Sequence, residues 1–294
     1  HIFRGGLDFQ RDGKSLRQEG YSTELFTQEA VTRIRERDKA KPMLLYVAYN
    51  AVHHPWQVPD KYLERTKHLD AGEDRRFFAA MILAMDDGIG RVLTELKDPG
   101  HEDDTLVIFS SDNGGLNHPG WGTPVTSNTP LRAGKGWLYE GGVREPWIVR
   151  LPSVTQPGSV CDIPIIAADV SPTVLEVCGL PARPDLHLDG ASLVPLLKGA
   201  KEPIHEALHW HFPHYGNTGS GPCSSIRVGD WKLIEFFEDG RLELYDLEQD
   251  PGEQHDLAAE HPARAAELRA QLAAWREATG TRMPSPNPAF DPAQ

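Results

Sequence analysis

An apolar run that ends in an acid, an amide and two glycines, "LVIFSSDNGG" from Leu106 to Gly115, has the make-up of a strand emptying into a binding loop. Ligands of open α/β sheets sit beyond the carboxyl ends of the strands. Asp112 and Asn113 supply hard oxygens of the kind that Ca²⁺ or Mg²⁺ takes. Gly114 and Gly115 permit positive φ and close backbone approach, so the loop can fold tightly around something small. The plain alternative is an ordinary Asn-Gly turn. A second candidate is His53 in "VHHPW", just past an apolar run that ends at Tyr49. An imidazole there could act as a general acid or hydrogen-bond an anion, although a strand-end histidine is more often a structural hydrogen-bonder. A third is "LRAGKGWLYEGGVREP", in which Lys135 lies between glycines with Glu140 and Arg144 behind it. A lysine beside a cation makes sense only with an anion between them. Finally, "LHWHFPHYGNTGSG" gathers His209, His211 and His214 among aromatic rings. Such a cluster can bind zinc, but no completing ligands stand nearby. Imidazoles and rings suit sugar stacking, so His211 and His214 read as a substrate-pocket rim, with a structural loop as the alternative.

The elements that must position these residues follow from periodicity. "YSTELFTQEAVTRIRERDKAK" carries an N-cap at Ser22 or Thr23 and an amphipathic helical pattern, and "PMLLYVAYN" reads as a buried parallel strand. "GEDRRFFAAMILAMDDGIGRVLTELKD" is a long helix, with Asp86 and Asp87 on its solvated face; "TLVIF" and "PWIVRLP" are further strands. The alternation predicts a doubly wound parallel sheet. "DVSPTVLEVCGLP" reads as a helix ending at Gly179. Beyond Glu202 the character changes to short antiparallel strands with a hairpin at Asp239–Gly240 and a closing helix, "HPARAAELRAQLAAWREATG". The expected division is 1–201 and 202–294.

With 294 residues, 39% hydrophobic and 25% charged, the chain can bury a sizeable core. A net charge of −13 with scattered Lys and Arg argues against nucleic acid or an anionic membrane surface as partner, and no apolar run is long enough to span a bilayer. Three cysteines match neither a disulfide framework nor a zinc site.

Together, "GYSTELFTQEAV", "LYVAYNAVHHPWQVP", "DDTLVIFSSDNGG", "PLRAGKGWLYEGGVREP", "DVSPTVLEVCGL" and "GDWKLIEFFEDGRLELYDLEQDPGEQHDLA" resemble, in order and over nearly the whole chain, the arylsulfatase-type members of the sulfatase family. The resemblance implies an alkaline-phosphatase-like α/β/α sandwich with a small C-terminal antiparallel sheet-and-helix subdomain. It implies Ca²⁺-dependent hydrolysis of sulfate monoesters, with sulfated carbohydrate as the expected substrate. By position, Asp112 and Asn113 match metal ligands, and His53 matches the histidine that contacts sulfate or protonates the leaving oxygen. Lys135 matches the lysine bridging sulfate and leaving group; Glu140 and Arg144 match a buried pair that supports the lysine loop. A secreted, periplasmic or lysosome-like setting follows by analogy alone.

The family's paired-aspartate segment, its C-x-P-x-R segment (whose Cys becomes the formylglycine nucleophile) and its Lys-x-His segment are missing from the sequence. None of the three cysteines opens a C-x-P-x-R: Cys161 has no Arg at that spacing, Cys178 in "CGLPAR" has one residue too many before the Pro, and Cys223 in "CSSIR" keeps the Arg spacing with Ser in place of Pro. The formylglycine and two calcium ligands are therefore expected in a segment preceding His1, and the chain reads as a partial coding sequence, inactive alone. A phosphoester or phosphonate hydrolase of the same superfamily and a non-catalytic glycan-binding remnant are the competing readings.

Overall fold

The computed structural model describes residues 2–3, 6–7, 9–97, 102–117, 125–216, 218–285 and 287–288; part of the loop-rich stretch between Gly120 and Gly142 lies outside them. The chain divides into two compact units, His1–Thr105 and Leu106–Gln294.

The first unit is built on helices α1 (Ser22–Glu36), α2 (Asp60–Thr66) and α3 (Glu73–Glu95), preceded by the short strands β1 (Ile2–Phe3), β2 (Gly6–Leu7), β3 (Gln10–Arg11) and β4 (Lys14–Ser15). Helix α1 buries Thr23, Thr27, Ala30, Val31 and Ile34, a stripe at helical spacing. It packs on α3, where a Cβ at Gly88 would overlap the Thr27 hydroxyl, while Ala80 and Ala84 of α3 pack with Tyr62 of α2. Asp86 and Asp87 lie on the exposed face of α3, where Asp87 pairs with Arg65 of α2.

The segment expected as a buried parallel strand departs from that expectation. Residues 42–50 form no regular element but show period-two burial from Leu45, with Leu45, Val47 and Tyr49 half-buried. The Tyr49 hydroxyl lies 2.9 Å from Thr27 Oγ1. Among the described residues the segment has no ladder partner, and Leu44 and Tyr46 are 85% and 88% exposed. The run is apolar on both faces, as a strand covered twice would be, and only one face is covered here.

In the second unit, β5 (Val107–Ser110) pairs with β6 (Trp147–Arg150), running from Val107↔Arg150 to Ser110↔Trp147. This pair is antiparallel, as is every ladder among the described residues, so the expected parallel pairing is not seen. Short helices α4 (Glu140–Val143), α5 (Val170–Val177) and α6 (Val194–Leu197) follow. Next comes a four-stranded sheet in the order β10-β9-β8-β7, formed by β7 (Leu208–Phe212), β8 (Cys223–Val228), β9 (Trp231–Phe236) and β10 (Leu242–Asp246). The closing helix is α7 (Pro262–Ala278). Gly240, at φ 73°, makes the anticipated Asp239–Gly240 turn.

Alternation along these strands gives the sheet two buried faces. Ile226, Leu233 and Leu244 pack against Ala265, Leu268 and Leu272 of α7. The intervening residues Cys223, Ile234, Phe236 and Tyr245 face Trp137, Leu138 and Tyr139, which follow Lys135. The C-terminal sheet is therefore a platform for the lysine loop. Among the described residues, no helix is long and apolar enough to cross a membrane.

Candidate functional site

The loop carrying Asp112 and Asn113 and the loop carrying Lys135 lock together through backbone contacts that only glycine allows. The Gly114 N–H donates to the Gly142 carbonyl at 3.3 Å, and the Lys135 N–H donates to the Gly115 carbonyl at 3.2 Å. A Cβ at Gly114 would overlap the Gly141 carbonyl, and one at Gly134 would overlap the Gly115 carbonyl. Positive φ is not what Gly114 and Gly115 provide; close approach is. Gly136 does sit at φ 87°, and a Cβ there would lie 2.6 Å from Thr218 Oγ1. Asn128 braces the junction. Its Oδ1 accepts from the Gly115 N–H at 3.0 Å, while its Nδ2 donates to the carbonyls of Gly115 at 2.9 Å and Ala133 at 2.8 Å.

Asp112 is exposed, and Asn113 donates its Nδ2 to the Gly114 carbonyl at 3.0 Å, leaving its Oδ1 as an acceptor. Near them, Glu145 has a buried Oε1 without a hydrogen-bond partner. Burial, and then the charge of Asp112, push its carboxyl up to about 7. An orphaned buried carboxylate oxygen close to an aspartate and an amide oxygen fits a hard divalent cation. Among the described residues, no three His, Cys, Asp or Glu side chains converge closely enough to hold a metal by themselves. These residues could supply only part of a coordination shell.

Behind Lys135 the support differs from the expected Glu140–Arg144 pair. Glu140 is buried, but its close partner is Lys232 of β9, whose Nζ donates to Oε1 at 2.8 Å. Arg144 is half-exposed and 3.9 Å away. The Lys232 Nζ, fully buried, also lies 2.9 Å from Glu253 Oε1, and Glu253 Oε2 accepts from the Glu140 backbone N–H at 2.6 Å. Burial pushes the Glu253 carboxyl up, and the Lys232 charge opposes that shift. Arg132 clamps the start of the loop by donating to Tyr245 Oη and the Glu253 carbonyl, each at 2.8 Å.

His53 belongs to the first unit, on the turn after residues 42–50. Its exposed ring has Nδ1 2.8 Å from the His54 carbonyl, which can only accept, so Nδ1–H donates there. The histidine cluster splits. His209 and His211 lie on the α7 face of the sheet, opposite Ile226 and Ser224 in register. His209 stacks on Trp275 at 4.7 Å. His211 donates Nε2–H to the Arg282 carbonyl at 2.8 Å and accepts at Nδ1 from Ser224 Oγ at 2.6 Å, so both ring nitrogens are committed. His214 is exposed at the start of the β7–β8 connection, whose end reaches the lysine loop: the Ser220 N–H donates to the Gly136 carbonyl at 3.1 Å. Burial pushes the Cys223 thiol up, against the opposing hydrogen bond with Ser220, which disfavours the thiolate a nucleophile needs; Cys161 and Cys178 are exposed.

Sequence reasoning missed Asn128, Glu145, Lys232 and Glu253. Lys232 left a signal: it occupies a strand position two residues from Ile234 and four from Phe236, on the same buried face. Asn128 and Glu253 left none: Asn128 binds only backbone groups, and the partners of Glu253, the Glu140 N–H and Lys232 Nζ, lie elsewhere in the chain.

Comparison with known proteins agrees with this architecture. The sulfatase family profile matches residues 4–180, and the profile for the N-sulphoglucosamine sulphohydrolase C-terminal region matches residues 133–278. A sulfatase of Formosa agariphila is 35% identical over 86% of this chain and 50% of its own length. Arylsulfatase J of Mus musculus is 29% identical over 92% of this chain and 52% of its own. The chain thus spans about half the length of these curated relatives. The crystal structure of Ps i-CgsB in complex with k-i-k-neocarrahexaose superposes with a TM-score of 0.78 at 29% identity, covering 90% of this chain and 56% of that one. The fold is the alkaline-phosphatase-like α/β fold of such enzymes, and the chain belongs to the sulfatase family.

Proposed function

We propose that this chain carries the metal-binding loop, lysine loop and C-terminal platform of a sulfuric ester hydrolase acting on sulfated carbohydrate. The observation that carries the reading is the interlock of the two glycine-rich loops, which holds Asp112 and Asn113 in one rigid block with Lys135. In this reading Asp112 and Asn113 hold a calcium ion, and the Lys135 ammonium stabilises the charge that spreads onto the bridging oxygen as the S–O bond breaks. A bound calcium ion would supply Lewis-acid stabilisation of the sulfuryl oxygens. His53 is assigned, through the family resemblance of its His-x-Pro position alone, to protonating the leaving alcohol. The formylglycine nucleophile is assigned to a segment outside this sequence. Similarity to Ps i-CgsB, solved with an oligosaccharide, supports the carbohydrate class.

The test is sulfate release from an aryl sulfate and from a sulfated oligosaccharide by the full-length protein that carries this chain, with and without calcium. Asp112→Asn and Lys135→Ala are each expected to lower turnover about 10²–10³-fold. Release of phosphate from matched phosphomonoesters with none from sulfates would move the assignment to the phosphoester branch. Wild-type rates for both variants would remove these residues from the site. We assign substrate contact within the histidine cluster to His214 alone. His214→Ala is expected to raise KM several-fold without lowering the melting temperature, and His211→Ala to lower the melting temperature while leaving KM unchanged. The opposite pattern in the same two measurements reverses the assignment.

A further inference from the structure

The loop that carries Lys135 closes on itself. The Gly141 N–H donates to the Arg132 carbonyl at 2.9 Å, so these two residues form a neck with Lys135 in the loop between them. One residue from far along the chain grips both sides of that neck. The Glu253 carbonyl accepts from the Arg132 guanidinium at 2.8 Å, and its carboxylate Oε2 accepts from the Glu140 N–H at 2.6 Å. The other carboxylate oxygen, Oε1, lies 2.9 Å from Lys232 Nζ, which ties the clasp to β9. Glu253 is completely buried and sits at φ 52°. A residue with a Cβ keeps that conformation only where its surroundings over-determine it, and such outliers gather at functional sites. The turn around Glu253 is itself well held. The Glu253 N–H donates to the Asp250 carbonyl at 3.1 Å, and Asp250 Oδ2 accepts from the N–H groups of Gln254 at 2.6 Å and His255 at 2.8 Å. Gly252 also backs onto the start of the loop, since a Cβ there would come within 2.9 Å of the Pro130 carbonyl. A desolvated acid at a strained φ costs stability that an apolar contact would not. Its carboxylate and its carbonyl both act on the neck of the Lys135 loop.

We propose that Glu253 is a positioning residue for Lys135: by fixing both sides of the neck it sets where the ammonium stands against the bridging oxygen of the ester. The proposal rests on the reading of Lys135 as the group that stabilises the leaving oxygen. Glu253 acts through Lys135 and not on the substrate. A displacement of about 1 Å at such a group is enough to cost turnover while binding is kept.

The test uses the full-length protein that carries this chain and two aryl sulfates, one with an acidic nitrophenol as leaving group and one with plain phenol. Glu253→Ala is expected to lower kcat for phenyl sulfate about 10–100-fold with KM within about twofold of the wild type. The loss for the nitrophenyl ester is expected to be clearly smaller, because a good leaving group needs less help from the ammonium. Glu253→Gln, whose amide oxygen still accepts from the Glu140 N–H, is expected to recover most of the rate. In a Lys135→Ala background, Glu253→Ala is expected to change nothing further, since both substitutions remove one effect. An equal loss on both esters, or a loss that adds in full to that of Lys135→Ala, would show that Glu253 only maintains the fold, and the proposal is overturned while the Lys135 reading stands. Wild-type rates for Lys135→Ala itself remove the Lys135 reading and the proposal with it. Should Glu253→Ala not fold, Arg132→Met releases the other side of the neck: the same dependence on leaving group is expected, and an equal loss on both esters overturns the proposal.

Discussion

Lys232→Met is expected to destabilise the second unit by about 3–5 kcal/mol. Lys232 is fully buried at the centre of β9, with Glu140 Oε1 at 2.8 Å and Glu253 Oε1 at 2.9 Å. Both carboxylates are themselves buried, at 2% and 0% side-chain exposure, so removing the ammonium leaves two acids without water or a close counter-ion. Arg227, at 3.6 Å from Glu140 Oε2, compensates only in part. Breaking a buried pair costs more than replacing it whole, so Lys232→Met with Glu140→Gln and Glu253→Gln should melt above Lys232→Met alone. Chemical denaturation of the three proteins decides the matter. A single-variant loss under about 1 kcal/mol, the scale of an exposed pair, would mean that water reaches this network. The loss also reaches the candidate site, because Glu140 follows Lys135 on the same loop and its backbone N–H is held by Glu253.

Gly114→Ala is expected to have the next largest effect, about 3 kcal/mol, and to lower Ca²⁺ affinity as well. The added methyl would overlap the carbonyl of Gly141 and approach Gly142 Cα at 3.2 Å, and both are backbone atoms that no rotamer change can move aside. The loops must separate, which breaks the 3.3 Å bond from the Gly114 N–H to the Gly142 carbonyl and displaces Asp112 and Asn113 from Lys135. Gly13→Ala is the contrasting control. It sits at φ 75° with nothing within 4 Å of a Cβ, so its cost is conformational strain of about 1 kcal/mol. Paired melting curves and Ca²⁺ titrations check both. A Gly114→Ala protein that melts and binds like the wild type would show that the loops are not interlocked.

The helices were legible in the sequence because their signals are local. The stripe from Thr23 to Ile34 and the run from Glu73 to Glu95 declare their period within a few turns. The same holds for the Asp239–Gly240 hairpin and α7. Strand pairing was less legible, since "PMLLYVAYN" and "TLVIF" carry apolar residues without stating their partners; the first is unpaired and the second pairs antiparallel with β6. Within the candidate site, Asp112, Asn113 and Lys135 announce themselves by type and by flanking glycines. The atoms that hold them do not. Asn128 works through carbonyls that any residue could offer, and Glu253 reaches Glu140 across 113 residues. At His211 the neighbours in sequence suggest sugar binding, and alternation along β7 turns the ring toward Ser224 and the Arg282 carbonyl, contacts the sequence does not announce.

The double-sided C-terminal sheet limits how this region can be recombined. Its α7 face is largely apolar, while the other face carries Lys232 and Tyr245, which meet Glu140 and Arg132 of the lysine loop. Grafting the last hundred or so residues from a relative would transfer the sheet and its helix intact, yet strand a buried acid wherever the donor lacks a lysine at the position of Lys232. Swaps intended to change substrate preference in this architecture therefore need their seam upstream of Asn128, so that the loop and the platform travel as one inheritance.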